Sequence, residues 1–448
     1  MRSALGTVEP ITTYLYIFMK QKISLSIGAL LIILIIGLLF FGKGSARVPE
    51  HSKLDGTSKI LGSKSSDESL KKYAVNFYME NSASMDGYVN GLTEFKDVLG
   101  KMIVSAHHSC KSASLYFVND KIYETTDNAI SFIQMLSPSK IKVGNVGATD
   151  VNQIFRNILA RTGKNDISVL FSDCIYSVRN VTNELDNAKN ATTDAFLQAM
   201  GKNPDVATII LQFVSRFDGY YYDRNDSPMR CNSSRPFYVV ITGNRDALKK
   251  LYDTFNIASL PRLKNKCLLS SESWTLNSNN ACIVISDYTN ARRIKTMKNF
   301  LDVEKISLER DCSILTFGVG VDFSNMFVDD TYAADASNYT VEPEGYKVKS
   351  VVKASSSATG DFSETPHMPY VLNLEVPVNK FAPSITITLN KDIPAWVKKS
   401  NVDDDAGFVP SPTQSFAIQK MVEGIAAAYS ANYSNIFKLQ ININKYNR

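Results

Sequence analysis

Ala74-Val75-Asn76-Phe77-Tyr78-Met79-Glu80-Asn81-Ser82-Ala83-Ser84-Met85 is the stretch on which the fold turns. Ala74 to Met79 is a short apolar run rich in strand-forming residues. It ends in a carboxylate followed by two hydroxyls at alternate positions, Glu80, Ser82 and Ser84. A helical stripe comes next, with Leu92, Phe95, Val98, Leu99, Met102 and Ile103 at three- and four-residue spacing.

The same alternation continues downstream. Leu115 to Val118 reads as a strand, and Val151, Ile154, Phe155, Ile158 and Leu159 form a second helical stripe. Ile167 to Phe171, Val206 to Val214 and Phe237 to Ile241 are further strands, with a helix over Asp246 to Phe255. Strands apolar on both faces, alternating with helices, predict an α/β domain over residues 73–256 built on a doubly wound, mostly parallel sheet.

Beyond residue 256 the pattern changes to period two. Leu372, Leu374, Val376 and Val378 alternate with other residues, as do Ile385, Ile387 and Leu389, and Phe437, Leu439, Ile441 and Ile443. These are half-buried antiparallel strands, so residues 257–448 are expected to form a β-rich, sandwich-like domain. One helix is expected inside it, near 413–429, from Ile418, Met421, Val422, Ile425 and Tyr429.

The N-terminal part differs from both. From Ile23 to Phe41 nothing is charged, and the polar side chains are Ser24 and Ser26. A helix of about 19 residues rising about 1.5 Å each matches a hydrocarbon core about 30 Å thick. The expected order is therefore a tail over 1–22, a transmembrane helix over 23–41 and a flexible Ser-, Lys- and Gly-rich stalk over 42–72. A cleaved signal peptide with Gly44, Ser45 and Ala46 at its end is the alternative, although the run exceeds the usual h-region of about 7–15 residues. Lys20 and Lys22 directly before the span favour an N-in, single-pass membrane protein with its body outside the cytoplasm, against Lys43 and Arg47 after it.

Composition narrows the chemistry. A net charge of +5, spread along the chain, gives no reason to invoke nucleic acid. Four histidines are thin material for a histidine-rich metal site or a His-based triad, and His107-His108 reads as a surface pair. The six cysteines show no CxxC pairing, which disfavours a zinc module. Cys110 and Cys174 read as core residues. Cys231, Cys267, Cys282 and Cys312 could form two disulfides in an exported body, or remain buried thiols.

In an open α/β sheet, ligands bind beyond the carboxyl ends of the strands. Gly147-Ala148-Thr149-Asp150 precedes the second helical stripe, and Ser172-Asp173 ends the strand through Phe171. Three loops at one edge would bring Glu80, Ser82, Ser84, Thr149 and Asp173 together. Such oxygen donors suit a hard divalent cation, Mg2+ above all, which takes about six oxygens and usually keeps waters among them. Taken singly, each piece has a plainer role: a Ser/Asn loop capping a helix, a threonine N-cap, a strand-end turn aspartate.

Those residues resemble the metal-ion-dependent adhesion site of von Willebrand factor type A domains, Asp-x-Ser-x-Ser, then a Thr loop, then an Asp at a later strand end. Glu80, Ser82 and Ser84 match the first motif, Thr149 the second and Asp173 the third, and the similarity covers residues 73–256. The resemblance implies a non-enzymatic domain whose metal bridges to a partner protein, with an acidic side chain of the partner completing the shell. Two positions depart from the pattern. Glu80 stands for Asp, carrying its carboxylate one methylene further out, and Ala83 stands for Gly.

Two other function classes compete. A degenerate, metal-free domain would serve a structural role in an envelope assembly. A metal-dependent hydrolase would use the same carboxylates and hydroxyls, but the chain has no nucleophile elbow and no phosphate-cradling glycine loop, and Gly318-Val319-Gly320 is too short for a nucleotide site.

Overall fold

The computed structural model describes residues 70–447, apart from 126, 148–149, 177–183, 286, 309–310, 355–367 and 445. The expected tail, membrane span and nearly all of the stalk lie outside the described residues. Among the described residues no helix is long and apolar enough to cross a membrane.

Seven strands build the first sheet: β1 (Ala74–Glu80), β2 (Ser112–Val118), β3 (Ile122–Glu124), β4 (Asp166–Ser172), β5 (Val206–Tyr222), β6 (Pro228–Asn244) and β7 (Leu263–Ser270). Their order is β3-β2-β1-β4-β6-β5-β7. β1 runs parallel to both β2 and β4. The pairs β2–β3, β4–β6, β5–β6 and β5–β7 are antiparallel.

The protein is thus α/β with a mixed sheet, and the mostly parallel, doubly wound arrangement expected from the sequence is realised only by β2-β1-β4. The reason lies in the connections. Parallel neighbours need a long crossover, whereas β5 and β6 are joined by a tight turn and so must run antiparallel. Asp223 closes that turn, its Oδ1 accepting the amides of Asn225 and Ser227 at 2.9 Å each.

Side chains alternate across the sheet with period two. Val75, Phe77 and Met79 of β1 face one core, where they meet α1 (Glu94–Ser109), α2 (Ala129–Met135) and α5 (Arg245–Thr254) through Phe95, Leu99, Phe132 and Leu248. Tyr78 faces the opposite core with α3 (Val151–Arg161) and α4 (Glu184–Lys202), through Ile154, Phe155 and Phe196. α1 starts at Thr93, whose hydroxyl accepts the Lys96 amide at 3.4 Å. Glu94 and Asp97 in its first turn and exposed His107 and His108 in its last complement the helix dipole.

The helix expected near 413–429 forms as α6 (Ile418–Ser430), and it packs on the seven-stranded sheet. Met421, Val422, Ile425 and Tyr429 are buried with Ile210, Val240 and Phe196. β7 likewise carries this sheet past residue 256. The segment before α6 is tied down by buried polar groups. Gln212 Nε2 donates to the Thr413 carbonyl at 2.9 Å and to Ser400 Oγ at 3.1 Å. Arg235 donates to the carbonyls of Pro410, Ser411 and Gln414, and its guanidinium lies 4.7 Å from the Tyr221 ring centroid.

Two four-stranded sheets, with a three-stranded sheet of Arg293–Thr296, Val303–Ser307 and Tyr446–Asn447, make up most of the remaining body. Strands Lys347–Lys353, Tyr370–Pro377, Ile314–Val321 and Ala281–Val284 make one, and Tyr339–Glu342, Ser384–Asn390, Asn435–Asn442 and Trp274–Leu276 the other. Phe317, Leu374, Ile387 and Leu439 from the two sheets share a single core. The six cysteines form no disulfide; all are buried except half-buried Cys312. Cys231, Cys267 and Cys282 lie within strands as buried thiols.

The long β5–β6 ribbon runs beyond its neighbours and packs on the turn that follows Ser84. Gly87, in the helical turn Asp86–Val89, lies against the Phe217 ring, and a Cβ on Gly219 would sit 2.7 Å from the Gly87 Cα. Gly219→Ala therefore forces backbone against backbone and is expected to lower stability by about 1–3 kcal/mol. Gly201→Ala, at a helical position with nothing within 4 Å, should be neutral or stabilising by up to about 1 kcal/mol. Urea unfolding of both variants checks the pair, and equal effects would refute the close packing of ribbon on turn.

Candidate functional site

Adjacent parallel strands β1 and β4 end side by side, and this brings four of the five expected residues together. Glu80 is the last residue of β1 and is 2 % exposed. Ser82 and Ser84 lie on the turn just after it, where the Met85 amide bonds to the Ser82 carbonyl at 3.0 Å. Asp173, also 2 % exposed, follows β4. Thr149, the fifth, lies outside the described residues. Its neighbour Asp150 caps α3, its Oδ1 accepting the Asn152 amide at 2.8 Å.

Serine hydroxyls lie between the two carboxyl groups. Ser172 Oγ donates to Glu80 Oε2, and Ser82 Oγ donates to Glu80 Oε1 at 2.8 Å. Ser82 and Ser84 hydroxyls are 2.9 Å apart. Either hydroxyl can donate in that contact. The Ser84 hydroxyl favours the charged form of the Asp173 carboxyl. Ser172 is held by the Cys174 amide, which donates to its Oγ at 2.7 Å. Cys174 has a left-handed φ of 54°, a conformation that costs a non-glycine residue about 1–3 kcal/mol. It turns the chain so that Asp173 Oδ1 also accepts the Ile175 amide at 3.2 Å.

Burial sets the electrostatics. Burial first, and then the Asp173 charge, push the Glu80 carboxyl up to about 8 against the opposing pull of the Ser172 and Ser82 hydroxyls. Burial raises the Asp173 carboxyl too, opposed by the Ser84 hydroxyl, the Ile175 amide and the positive charge of Arg235. Arg235 is only 1 % exposed and makes no ion pair among the described residues, so Asp173 is the acid that feels its charge.

Sequence reasoning passed over two members of this group. Ser172 was visible beside Asp173, but only its burial in β4 against Glu80 shows that it is a donor to the first carboxylate. Arg235 carried no local signal, because its partners come from residues 410–414.

The donor set fits a hard divalent cation. The Ser82 and Ser84 hydroxyls carry lone pairs, and Asp173 supplies a carboxylate that also feels the charge of Arg235. Ser82, Ser84 and Asp173 would hold the ion, and Glu80 would orient the hydroxyls. Among the described residues no three His, Cys, Asp or Glu side chains come together as a metal group, so hydroxyls must supply part of any shell. No family model matches the chain, and no curated protein matches it.

The raised Glu80 carboxyl yields a pH signature. Its folded value of about 8 lies above the unfolded 4.5, so the folded state holds the proton across that window. The contribution to stability is complete below about 4.5 and is lost as pH rises through about 8. In chelator, Glu80→Gln should match the parent near pH 4.5 and melt at higher temperature at pH 8. Calorimetric melting across that range checks it, and an offset independent of pH would show that Glu80 titrates normally.

Proposed function

We propose that this chain is a membrane-tethered, non-enzymatic binding module of the von Willebrand factor type A kind. It engages a partner protein through Mg2+, or a similar divalent cation, at the C-terminal edge of β1 and β4. Glu80, Ser82, Ser84 and Asp173 form the described part of the site, with Thr149 as a further ligand on the resemblance. The observation that carries this reading is the meeting of two hydroxyls and two carboxyls at neighbouring parallel strand ends. The N-terminal span over 23–41 would anchor the body outside the cytoplasm, and an acidic side chain of the partner would complete the metal shell. The resemblance extends to the β2-β1-β4 part of the sheet; the antiparallel β6-β5-β7 part departs from the doubly wound plan.

A second reading has its own support. Both Glu80 oxygens already accept hydroxyl protons, and burial favours the neutral carboxyl. A site so satisfied needs no metal, and the domain would then be a structural element of an envelope assembly. Titrating Mg2+ into the full-length protein by calorimetry separates the two. The binding module predicts a saturable heat that Ser82→Ala and Asp173→Ala each weaken by at least about tenfold, a ligand-loss effect no smaller than that of losing an outer-shell partner. No heat with the intact chain sinks the metal reading and favours the structural one.

A further inference from the structure

Asn81 and Asn119 stand next to each other at the ends of β1 and β2, one residue beyond the Glu80–Val118 register pair. Both are completely buried. Asn81 Nδ2 donates to the carbonyls of Ile141 and Val143, at 2.7 Å each, and Asn119 Nδ2 donates to the same Val143 carbonyl at 2.8 Å. A little further on, the Val146 carbonyl accepts the amide of Ala83 at 3.1 Å. That amide lies between Ser82 and Ser84.

The segment so held is also pressed onto β3. Gly144 adopts a left-handed φ of 73°, and a Cβ there would lie 2.3 Å from the Tyr123 ring. The side-chain oxygens of Asn81 and Asn119 are buried and accept no hydrogen bond among the described residues. Leaving two acceptors unmet is unfavourable, and apolar side chains of similar size would avoid it. What the amides supply in exchange is their donors, all of which are aimed at one segment.

We propose that Asn81 and Asn119 are positioning residues for the candidate cation site. Through Val143 they latch residues 141–146 to the strand ends. Through the bond from Ala83 to Val146, that latch sets the conformation of the turn carrying the Ser82 and Ser84 hydroxyls. The effect on cation affinity rests on the metal-site reading; the latch does not.

Two measurements on the full-length chain keep these apart. In hydrogen–deuterium exchange, Asn81→Ala and the isosteric Asn119→Asp should each speed exchange in peptides covering 82–86 and 141–147 by about tenfold or more. Peptides from 206–214 in β5 should keep their rates. Unchanged exchange at 82–86, or an equal rise throughout the sheet, overturns the latch. In Mg2+ titration, Asn119→Asp should weaken affinity about tenfold relative to the parent. A parent that binds and a variant that binds equally well overturn the positioning role. A parent that does not bind defeats the cation reading instead, and with it the claim on affinity, while exchange still decides the latch.

Discussion

The constraint that organises this protein is a carboxyl group buried at the end of a central strand. Glu80 is sealed between β2 and β4, and a buried carboxyl must be neutralised or surrounded by donors. Ser172 reaches it from the neighbouring strand and Ser82 from the turn beyond. Meeting both demands fixes where β4 ends, how the chain leaves β1 and why Cys174 must bend the backbone into a left-handed conformation. The close approach of Gly219 to Gly87 then braces the far side of the same turn. Site and fold meet at Ser82, which satisfies Glu80 and would also help to hold a cation.

Much of the central sheet was legible in the sequence. The run Ala74 to Met79 and strand β1 differ by one residue, and Ile167 to Phe171 and β4 by one at each end. Both strands are buried on two faces, so hydrophobicity marks them without ambiguity. The stripe likewise appears as the buried face of α1 from Phe95 to Ile103, but Leu92, read as its first member, lies before the helix and is 85 % exposed. The distal β5–β6 ribbon was not legible. Ser215 to Tyr222 and Pro228 to Arg235 mix tyrosines, charges and small polar residues without alternation, because much of what holds this ribbon is its own ladder and partners far along the chain, such as Asp405 on Tyr221. That ribbon is also why the sheet is mixed.

The site was legible as a set of residue types but not as a network. Local pattern placed Glu80, Ser82, Ser84 and Asp173 at strand ends, and adjacency of β1 and β4 brings them together. Nothing local could show that Ser172 would share Glu80, that Arg235 would stand behind Asp173, or that Asn81 and Asn119 would seize a common carbonyl. Each depends on a partner far along the chain. The home of α6 was hidden for the same reason: its apolar face is evident, but an amphipathic helix does not announce which sheet it will cover.

The return of residues 394–430 to the first sheet bears on the order in which the molecule can assemble. The Gln212–Thr413 and Thr208–Tyr429 contacts each bridge about 200 residues or more, and every strand of the second body's two four-stranded sheets except Asn435–Asn442 lies between their ends. Such long-range closure slows folding, since chain entropy is lost before the contacts reward it. Until those residues dock, one apolar flank of the sheet around Ile210 and Val240 has no cover from α6. During synthesis the first body therefore waits for the last, and in that interval its open flank is the surface most exposed to misassociation.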